Sequence, residues 1–289
     1  MADQEGPARH DMLTPLAQLL VVSHLAWLAP VPEVSRPVAA PPVPPAAHPL
    51  PDAGGAALYE MRLLGGVIAH PEIHLSPVTV MKDGARVRTL RIVGDTEGVF
   101  SNIYPFKNAY AAVMDATTLR PYRTQIKMLR GDTWSTIRLT YKDGHVAVVK
   151  ETDGKKARER KAVAPGSTDG VCWILWLQGL DLAQGESASV TMYTGTYHMR
   201  LTATYEGEDE VAVPAGTYKA ARWRCVLRLW QPDPPLPLGA PPAAPGKQID
   251  EATVWLSHDA FHIPVKLLLN VAIVGDITLE LAQIKAQSL

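Results

Sequence analysis

Cysteine is almost absent from this sequence, since only Cys172 and Cys225 occur in a chain of 289 residues. Two thiols exclude a disulfide-rich scaffold and a zinc site built from four cysteines. An excess of either charge is also absent, because 28 basic residues oppose 29 acidic residues and the net charge is −1. A protein that binds nucleic acid usually carries a clear positive excess, so we predict no nucleic-acid partner.

The short motifs of the common catalytic classes are missing as well. The chain contains no Gly-x-Ser-x-Gly nucleophile turn, no phosphate-binding Gly-rich loop, no dinucleotide fingerprint and no His-Glu-x-x-His zinc motif. We therefore expect no cofactor and a non-enzymatic function. An enzyme whose site is assembled from distant residues stays open as the alternative.

The N-terminal part of the chain carries two features of an exported protein. Residues 16–29 form an apolar stretch about as long as the apolar region of a signal peptide. Residues 1–29 are predicted to be a signal peptide or a membrane anchor, with Met12 as an alternative start and a short cytosolic helix as the other interpretation. Residues 30–55 are rich in Pro and Ala and predict an extended spacer. This arrangement indicates the periplasm or outer envelope of a Gram-negative-type bacterium, with a membrane contact through the N-terminal segment.

Residues 56–289 have the pattern of a single antiparallel β domain. Apolar and polar residues alternate in residues 197–205, which is the period of a strand with one buried and one wet face. The Pro-rich residues 231–247 are predicted to form a loop between two paired strands. Hairpin turns are predicted at Asp83-Gly84, Asp143-Gly144 and Asp153-Gly154. The predicted fold is mainly β: one large curved antiparallel sheet or half-barrel, with one or two short helices packed in its concave face.

One helix is predicted within residues 167–182, with Thr168 or Asp169 as its N-cap and Gly179 as its stop. Four positions at helical spacing form a stripe that cannot face water as a whole: Val171, Ile174, Leu175 and Gln178. Residues 97–106 are predicted to form a second short helix or an irregular crossover. Such short helices need a sheet to pack against.

Three separated segments keep a characteristic order in this chain. They are "TLRPYRTQIKM" (residues 118–128), "VAVPAGTYKA" (211–220) and "ATVWLSHDAFHIPVKLLL" (252–269). Together they resemble a bacterial family known as domain of unknown function 3108, over most of residues 58–281. The resemblance implies an exported, mostly β protein and implies no catalytic residue. More loosely, the last segment resembles periplasmic lipoprotein carriers, in which a curved antiparallel sheet plugged by helices holds acyl chains.

Two short segments combine histidines with carboxylates. The first contains His70, Glu72 and His74, and the second contains His258, Asp259 and His262. On a strand the first three side chains share one face, so they are weak candidates for metal ligands, with a solvated face as the alternative. The second three are a candidate metal or acid–base site, with the turn of a hairpin as the alternative.

The cysteines and three tryptophans have two interpretations each. Trp173, Trp176 and Trp223 are candidates for lining an apolar ligand cleft, and the alternative is that they are core residues. A disulfide between Cys172 and Cys225 is possible if the predicted helix packs on the strand that carries Cys225. Two separate buried thiols are the alternative.

The segment of residues 155–161 holds five basic side chains. It predicts either an exposed hairpin tip or a contact with anionic headgroups or peptidoglycan. As a whole, the sequence favours an exported binding or assembly factor for a lipid, lipoprotein or glycan, with an apolar or glycan ligand and an envelope protein as potential partners. The alternatives are an envelope hydrolase or metal-dependent enzyme, and a structural protein–protein module.

Overall fold

The computed structural model of the chain describes residues 52–98, 101, 106–130, 133–142, 144–229, 248–271 and 275–285. The predicted signal segment, almost all of the predicted spacer and the Pro-rich loop at residues 231–247 lie outside the described residues. So does most of the segment 97–106. Within the described part of the chain, no helix has the length and apolar character needed to cross a membrane.

The described residues form a mainly β fold with one large sheet of 17 strands and one short helix, α1 (Trp173–Gln178). The first ten strands are β1 (Gly55–Leu63), β2 (Gly66–Ala69), β3 (Glu72–Leu75), β4 (Thr79–Val80), β5 (Arg86–Asp95), β6 (Phe106–Asp115), β7 (Pro121–Arg130), β8 (Thr133–Lys142), β9 (His145–Thr152) and β10 (Lys155–Ala162). The others are β11 (Thr168–Asp169), β12 (Ser187–Tyr193), β13 (His198–Val213), β14 (Gly216–Leu229), β15 (Gln248–Ser257), β16 (Pro264–Val271) and β17 (Gly275–Lys285).

The sheet consists of two antiparallel meanders joined through the first strands. Strands β12 to β17 pair in sequence order, and so do β5 to β10. β17 pairs with β1, β1 pairs with β3, and β3 pairs with β5, so the N-terminal strands lie in the middle. In the described residues β10 pairs with β9 and β11 pairs with β12, no register joins β10 to β11, and the sheet is not closed.

The prediction of a purely antiparallel sheet is wrong at one place. β11 pairs in parallel with β12, through Thr168 with Met192 and Asp169 with Tyr193, so the sheet is mixed. β11 has only two residues and belongs to the connection between β10 and α1. A segment this short shows no alternation, and its pairing was therefore invisible in the sequence.

The predicted turns and strand faces are confirmed where the structure describes them. Asp153 and Gly154 connect β9 to β10 with φ angles of 49° and 75°, as the favoured two-residue hairpin turn requires. Gly84 also has a positive φ in the turn between β4 and β5. In β13, Met199, Leu201 and Ala203 are buried while the residues between them are partly exposed. Asp143 lies outside the described residues.

The core consists mainly of two clusters, and α1 contributes to both. The first cluster contains side chains of β1, β2 and β12 to β17, together with Trp173, Trp176 and Leu177 of the helix. The second contains side chains of β5 to β9 together with Cys172 and Leu175. A helix of six residues is unstable in isolation, so this packing stabilises it.

The helix begins later than predicted and ends where predicted. Thr168 and Asp169 belong to β11, and the residue at the N-cap position is Cys172. Asp169 still caps the turn, because its carboxylate accepts hydrogen bonds from the backbone N–H groups of Val171 and Cys172. Gly179 ends the helix.

Candidate functional site

A cavity of about 230 Å³ lies between α1 and the strands β1, β3 and β5. Its helix wall is the stripe identified in the sequence: Val171, Ile174, Leu175 and Gln178. Its sheet wall includes Ala57, Tyr59, Ile73, Leu75, Leu90 and Ile92. The turn between β15 and β16 contributes Phe261 and Ile263. The lining is therefore almost entirely apolar, which is typical of a site for an apolar ligand.

The strand order creates the sheet wall, because β3 lies between β1 and β5. One cross-strand row joins Ala57, Ile73 and Ile92, and the next joins Gly55, Leu75 and Leu90. Directly opposed residues of neighbouring strands lie about 5 Å apart on one face of a sheet. The small residues of β1 in these rows leave space beside the larger side chains of β3 and β5.

Gln178 is the polar residue of the helix wall, and its side chain is only partly satisfied. It is 6% exposed, and its Nε2 donates a hydrogen bond of 2.9 Å to the backbone carbonyl of His262. A carbonyl only accepts, so this bond fixes which end of the amide is the nitrogen. The buried Oε1 has no hydrogen-bond partner among the described residues. It is therefore an unsatisfied buried acceptor of a residue that lines the cavity.

Charged side chains lie at the rim of the cavity. Lys285 lines the cavity, and its Nζ lies 2.7 Å from Oε1 of Glu72. The same oxygen lies 3.0 Å from Nε2 of His74. The hydrogen bond from Lys285 lowers the pKa of Glu72. At the same rim Gly54 packs so closely that a Cβ atom would meet the carbonyl oxygen of Leu75 at 2.5 Å, so a larger residue is excluded there.

The position of α1 depends on a buried carboxylate, Asp169, which is 1% exposed. Its Oδ1 accepts the two backbone N–H groups at the start of the helical turn, each at 2.8 Å. Its Oδ2 accepts the hydroxyl groups of Tyr110 on β6 and Thr124 on β7, at 2.7 and 2.6 Å. Asp169 thus connects the start of α1 to β6 and β7, with two hydrogen bonds on the helix side and two on the sheet side. The sequence identified Asp169 only as a cap, because neither hydroxyl partner is near it in the chain.

Two further groups belong to this buried cluster. The Tyr110 hydroxyl lies 3.2 Å from Sγ of Cys172. Burial and the neighbouring Asp169 carboxylate raise the pKa values of the Tyr110 phenol and the Cys172 thiol well above their usual range. Both groups are therefore neutral at physiological pH, and Cys172 lacks the thiolate that a nucleophile needs.

The structure places the three candidate tryptophans in the core. Trp173, Trp176 and Trp223 are all buried in the first cluster, and none of them lines the cavity. On α1 the two tryptophans are three residues apart and share one face, whereas the cavity stripe occupies another. The predicted helix thus lines the cavity, but its tryptophans do not take part in this lining.

No disulfide joins Cys172 and Cys225 in the structure. Cys172 and Cys225 are free, buried thiols, and they belong to different core clusters. Cys225 packs in the first cluster with the tryptophans, while Cys172 lies on the side of the helix that faces the second. The side of α1 that packs against β14 is therefore not the side that carries the thiol.

The two histidine segments do not converge on a metal. His70 pairs with Glu97 at 2.8 Å, while His74 pairs with Glu72. His258, in the turn after β15, lies 3.4 Å from Glu208 of β13. Within the ranges that the structure describes, no three His, Cys, Asp or Glu side chains are placed to hold one ion.

Asp259 belongs to a hairpin turn, as one of the two interpretations predicted. Its carboxylate accepts the Ser257 hydroxyl at 2.6 Å and the backbone N–H of Phe261 at 2.8 Å. His262 adopts a left-handed φ of 46°, and its carbonyl accepts the bond from Gln178. This turn therefore supports the end of α1 rather than forming a separate site.

Comparisons with known proteins place these features in a wider context. A protein family described as "Protein of unknown function (DUF3108)" has a model that matches residues 59–282. The chain is also similar to the crystal structure of a beta-barrel-like protein of domain of unknown function DUF1849 from Brucella abortus, with 10% identity and a TM-score of 0.52. That alignment covers 83% of this chain and 100% of the other. At this identity the likeness concerns the fold alone.

Two other solved structures align over most of this chain with lower TM-scores. One is a candidate lipoprotein from Parabacteroides distasonis, with 9% identity, 83% and 99% of the two chains covered and a TM-score of 0.34. The other is a candidate exported protein with a YmcC-like fold from Bacteroides fragilis, with 8% identity, 84% and 100% covered and a TM-score of 0.32. A search of curated proteins found no match.

Proposed function

The chain belongs to the DUF3108 family of proteins of unknown function, and we propose that it is an exported, non-enzymatic protein that binds an acyl chain in the cavity beside α1. The family match over residues 59–282 confirms the resemblance that the three sequence segments indicated. The observation that carries the proposal is the cavity itself, with its helix wall, its sheet wall and a single buried amide.

The size and lining of the cavity support an acyl chain over a glycan. A cavity of about 150 Å³ lined by aliphatic side chains is large enough to take benzene. The cavity here, at about 230 Å³, has space for a longer apolar group. Each buried methylene contributes about 0.8 kcal/mol of transfer free energy. A glycan would leave its hydroxyl groups against aliphatic side chains without hydrogen bonds, which is costly.

Gln178 indicates what the polar end of the ligand carries. Its Oε1 accepts but cannot donate, so the matching ligand group is a hydroxyl or an amide N–H. A lipid with a hydroxyl or an amide on its acyl chain meets this requirement. A simple ester or an ionised carboxylate offers no donor and would leave the amide oxygen unsatisfied.

The chemistry of the lining supports binding rather than catalysis. Burial raises the pKa of the Tyr59 phenol far above neutrality, so it is no base. The Lys285 ammonium is paired with Glu72 at the rim.

Export is supported by the apolar residues 16–29 and the Pro/Ala-rich residues that follow them. In this proposal the spacer holds the sheet domain away from the membrane.

Displacement of the apolar dye N-phenyl-1-naphthylamine tests the proposal. We expect the full chain to bind the dye, and decan-1-ol to displace it. In the variant Ile174→Trp the new ring fills the cavity, and dye binding should be lost. The matched control is Val80→Trp, which adds the same ring at a residue that is 65% exposed. Equal dye binding by Ile174→Trp and Val80→Trp would refute the cavity as the site.

A comparison of two ligands, one with and one without a hydrogen-bond donor, tests the role of Gln178. We expect decan-1-ol to displace the dye at lower concentration than methyl decanoate, which has no donor. In Gln178→Leu this preference should disappear, while both ligands still bind. The same preference in the variant and the original chain would show that Gln178 does not contact the ligand.

A further inference from the structure

The outward face of β5 to β10 carries a concentration of positive charge that the net charge of the chain conceals. Side chains on this face alternate with buried ones such as Ile126, Ile137 and Val148. Seven of the exposed basic residues on this face lie close together: Arg91, Arg123, Lys127, Arg138, Lys156, Arg158 and Arg160. We call this set the basic face.

The strand register brings these seven side chains together in three adjacent rows. One row joins Arg123, Thr140, Ala147 and Arg160. The next joins Arg91, Ala111, Gln125, Arg138, Val149 and Arg158. The third joins Lys127, Thr136, Glu151 and Lys156. Six strands spaced by about 4.8 Å make the face about 24 Å wide.

Acidic side chains do not balance this charge. Glu151 is the acidic residue in the three rows, and it lies 3.2 Å from Arg138 and 3.7 Å from Lys156. The other five basic side chains have no acidic partner among the described residues. The outward face of the other meander is different, because Arg222 and Arg224 both pair with Glu206, and Lys266 pairs with Glu280.

We propose that the basic face is a docking surface for a bilayer that contains anionic lipids. The seven basic side chains come from β5, β7, β8 and β10 and are distributed over three rows, so they are not gathered around one point. Charge spread across the width of six strands fits a partner that is itself an extended anionic surface. Trp134 lies on the same outward side of β8 and is 52% exposed, and an exposed Trp suits the interface between headgroups and acyl chains.

The inference stands apart from the cavity and its ligand. It also differs from the membrane contact expected for the N-terminal segment, since it uses folded strands. Unpaired basic residues near an anionic membrane each strengthen binding about fivefold. Removing three of them should therefore weaken binding on the order of 100-fold.

Cosedimentation of the full chain with vesicles tests this inference. One set of vesicles contains phosphatidylcholine alone, and the other contains equimolar phosphatidylcholine and phosphatidylglycerol. The N-terminal segment is present in every sample, so the quantity of interest is the additional binding caused by the anionic lipid. We expect this additional binding for the original chain, and we expect molar sodium chloride to abolish it.

The test variant combines Arg123→Gln, Lys127→Gln and Arg158→Gln, one from each row. The control variant combines Lys219→Gln, Arg222→Gln and Arg224→Gln on β14, which changes the net charge equally. We expect the test variant to lose the additional binding and the control to retain it. Equal losses in both variants, or no additional binding by the original chain, would overturn the proposal. Binding to a DNA fragment but not to anionic vesicles would overturn it too, and would assign the face to another partner.

Discussion

Replacing Asp169 with alanine tests whether a buried carboxylate holds α1 against the sheet. The change removes the carboxylate that accepts four hydrogen bonds. Two buried hydroxyl groups, on Tyr110 and Thr124, then lose their acceptor. Each unsatisfied buried group costs about 1–3 kcal/mol, and the lost cap costs about 1 kcal/mol more. We therefore expect Asp169→Ala to lower the free energy of unfolding by about 4 kcal/mol.

Urea denaturation followed by tryptophan fluorescence measures this effect, because two tryptophans lie on α1. A loss of about 4 kcal/mol corresponds to a decrease in Tm of about 8–16 °C for a domain of this size. Asp83→Ala is the control, since Asp83 is an exposed turn residue whose carboxylate accepts one backbone N–H at 3.1 Å. We expect it to cost less than about 1 kcal/mol.

A milder variant separates the charge from the hydrogen bonds. In Asp169→Asn the amide oxygen must face the two backbone N–H groups, because those groups only donate. The amide nitrogen then faces the hydroxyls of Tyr110 and Thr124, which can rotate to accept. We expect a loss of about 1–2 kcal/mol, together with weaker dye binding in the cavity. The reasoning fails if Asp169→Ala destabilises the protein no more than Asp83→Ala does.

Two further predictions concern titratable groups outside the cavity. Burial, reinforced by nearby Lys161, lowers the pKa of His198 to about 4, so below pH 6.5 the unfolded chain binds a proton that the folded chain does not. The free energy of unfolding should therefore fall by roughly 1–2 kcal/mol, after allowance for solvent screening, as the pH decreases from 6.5 to about 4. The variant His198→Phe, which keeps a ring next to Tyr193, should remove this part of the pH dependence. Identical pH profiles of the variant and the original chain would contradict this prediction. Burial also raises the pKa values of both thiols, so Cys172 and Cys225 should react with a thiol reagent only after unfolding, and rapid labelling of the native chain would show that the helix opens.

Local features of this protein were predictable because their causes lie within a few residues. The positive φ angles of Asp153 and Gly154 follow from the turn that this dipeptide favours. The alternation in β13 identifies its buried face without knowledge of its neighbours. The stripe from Val171 to Gln178 was visible as a helical period, and it proved to be a wall of the cavity. Trp173 and Trp176 are buried in the core, and the opposite side of the same helix lines the cavity.

The sequence by itself determined a mainly β fold, the hairpin turns, one short apolar helix and membership of a family of unknown function. These follow from residue periodicity, turn preferences and ordered motifs, which act within short segments or survive in order along the chain. Only the tertiary structure decided that β3 lies between β1 and β5, that Asp169 meets Tyr110 and Thr124, and that the basic side chains form one face. Each of these contacts joins residues that are distant in the chain, and strand pairing, rather than any local preference, brings them together.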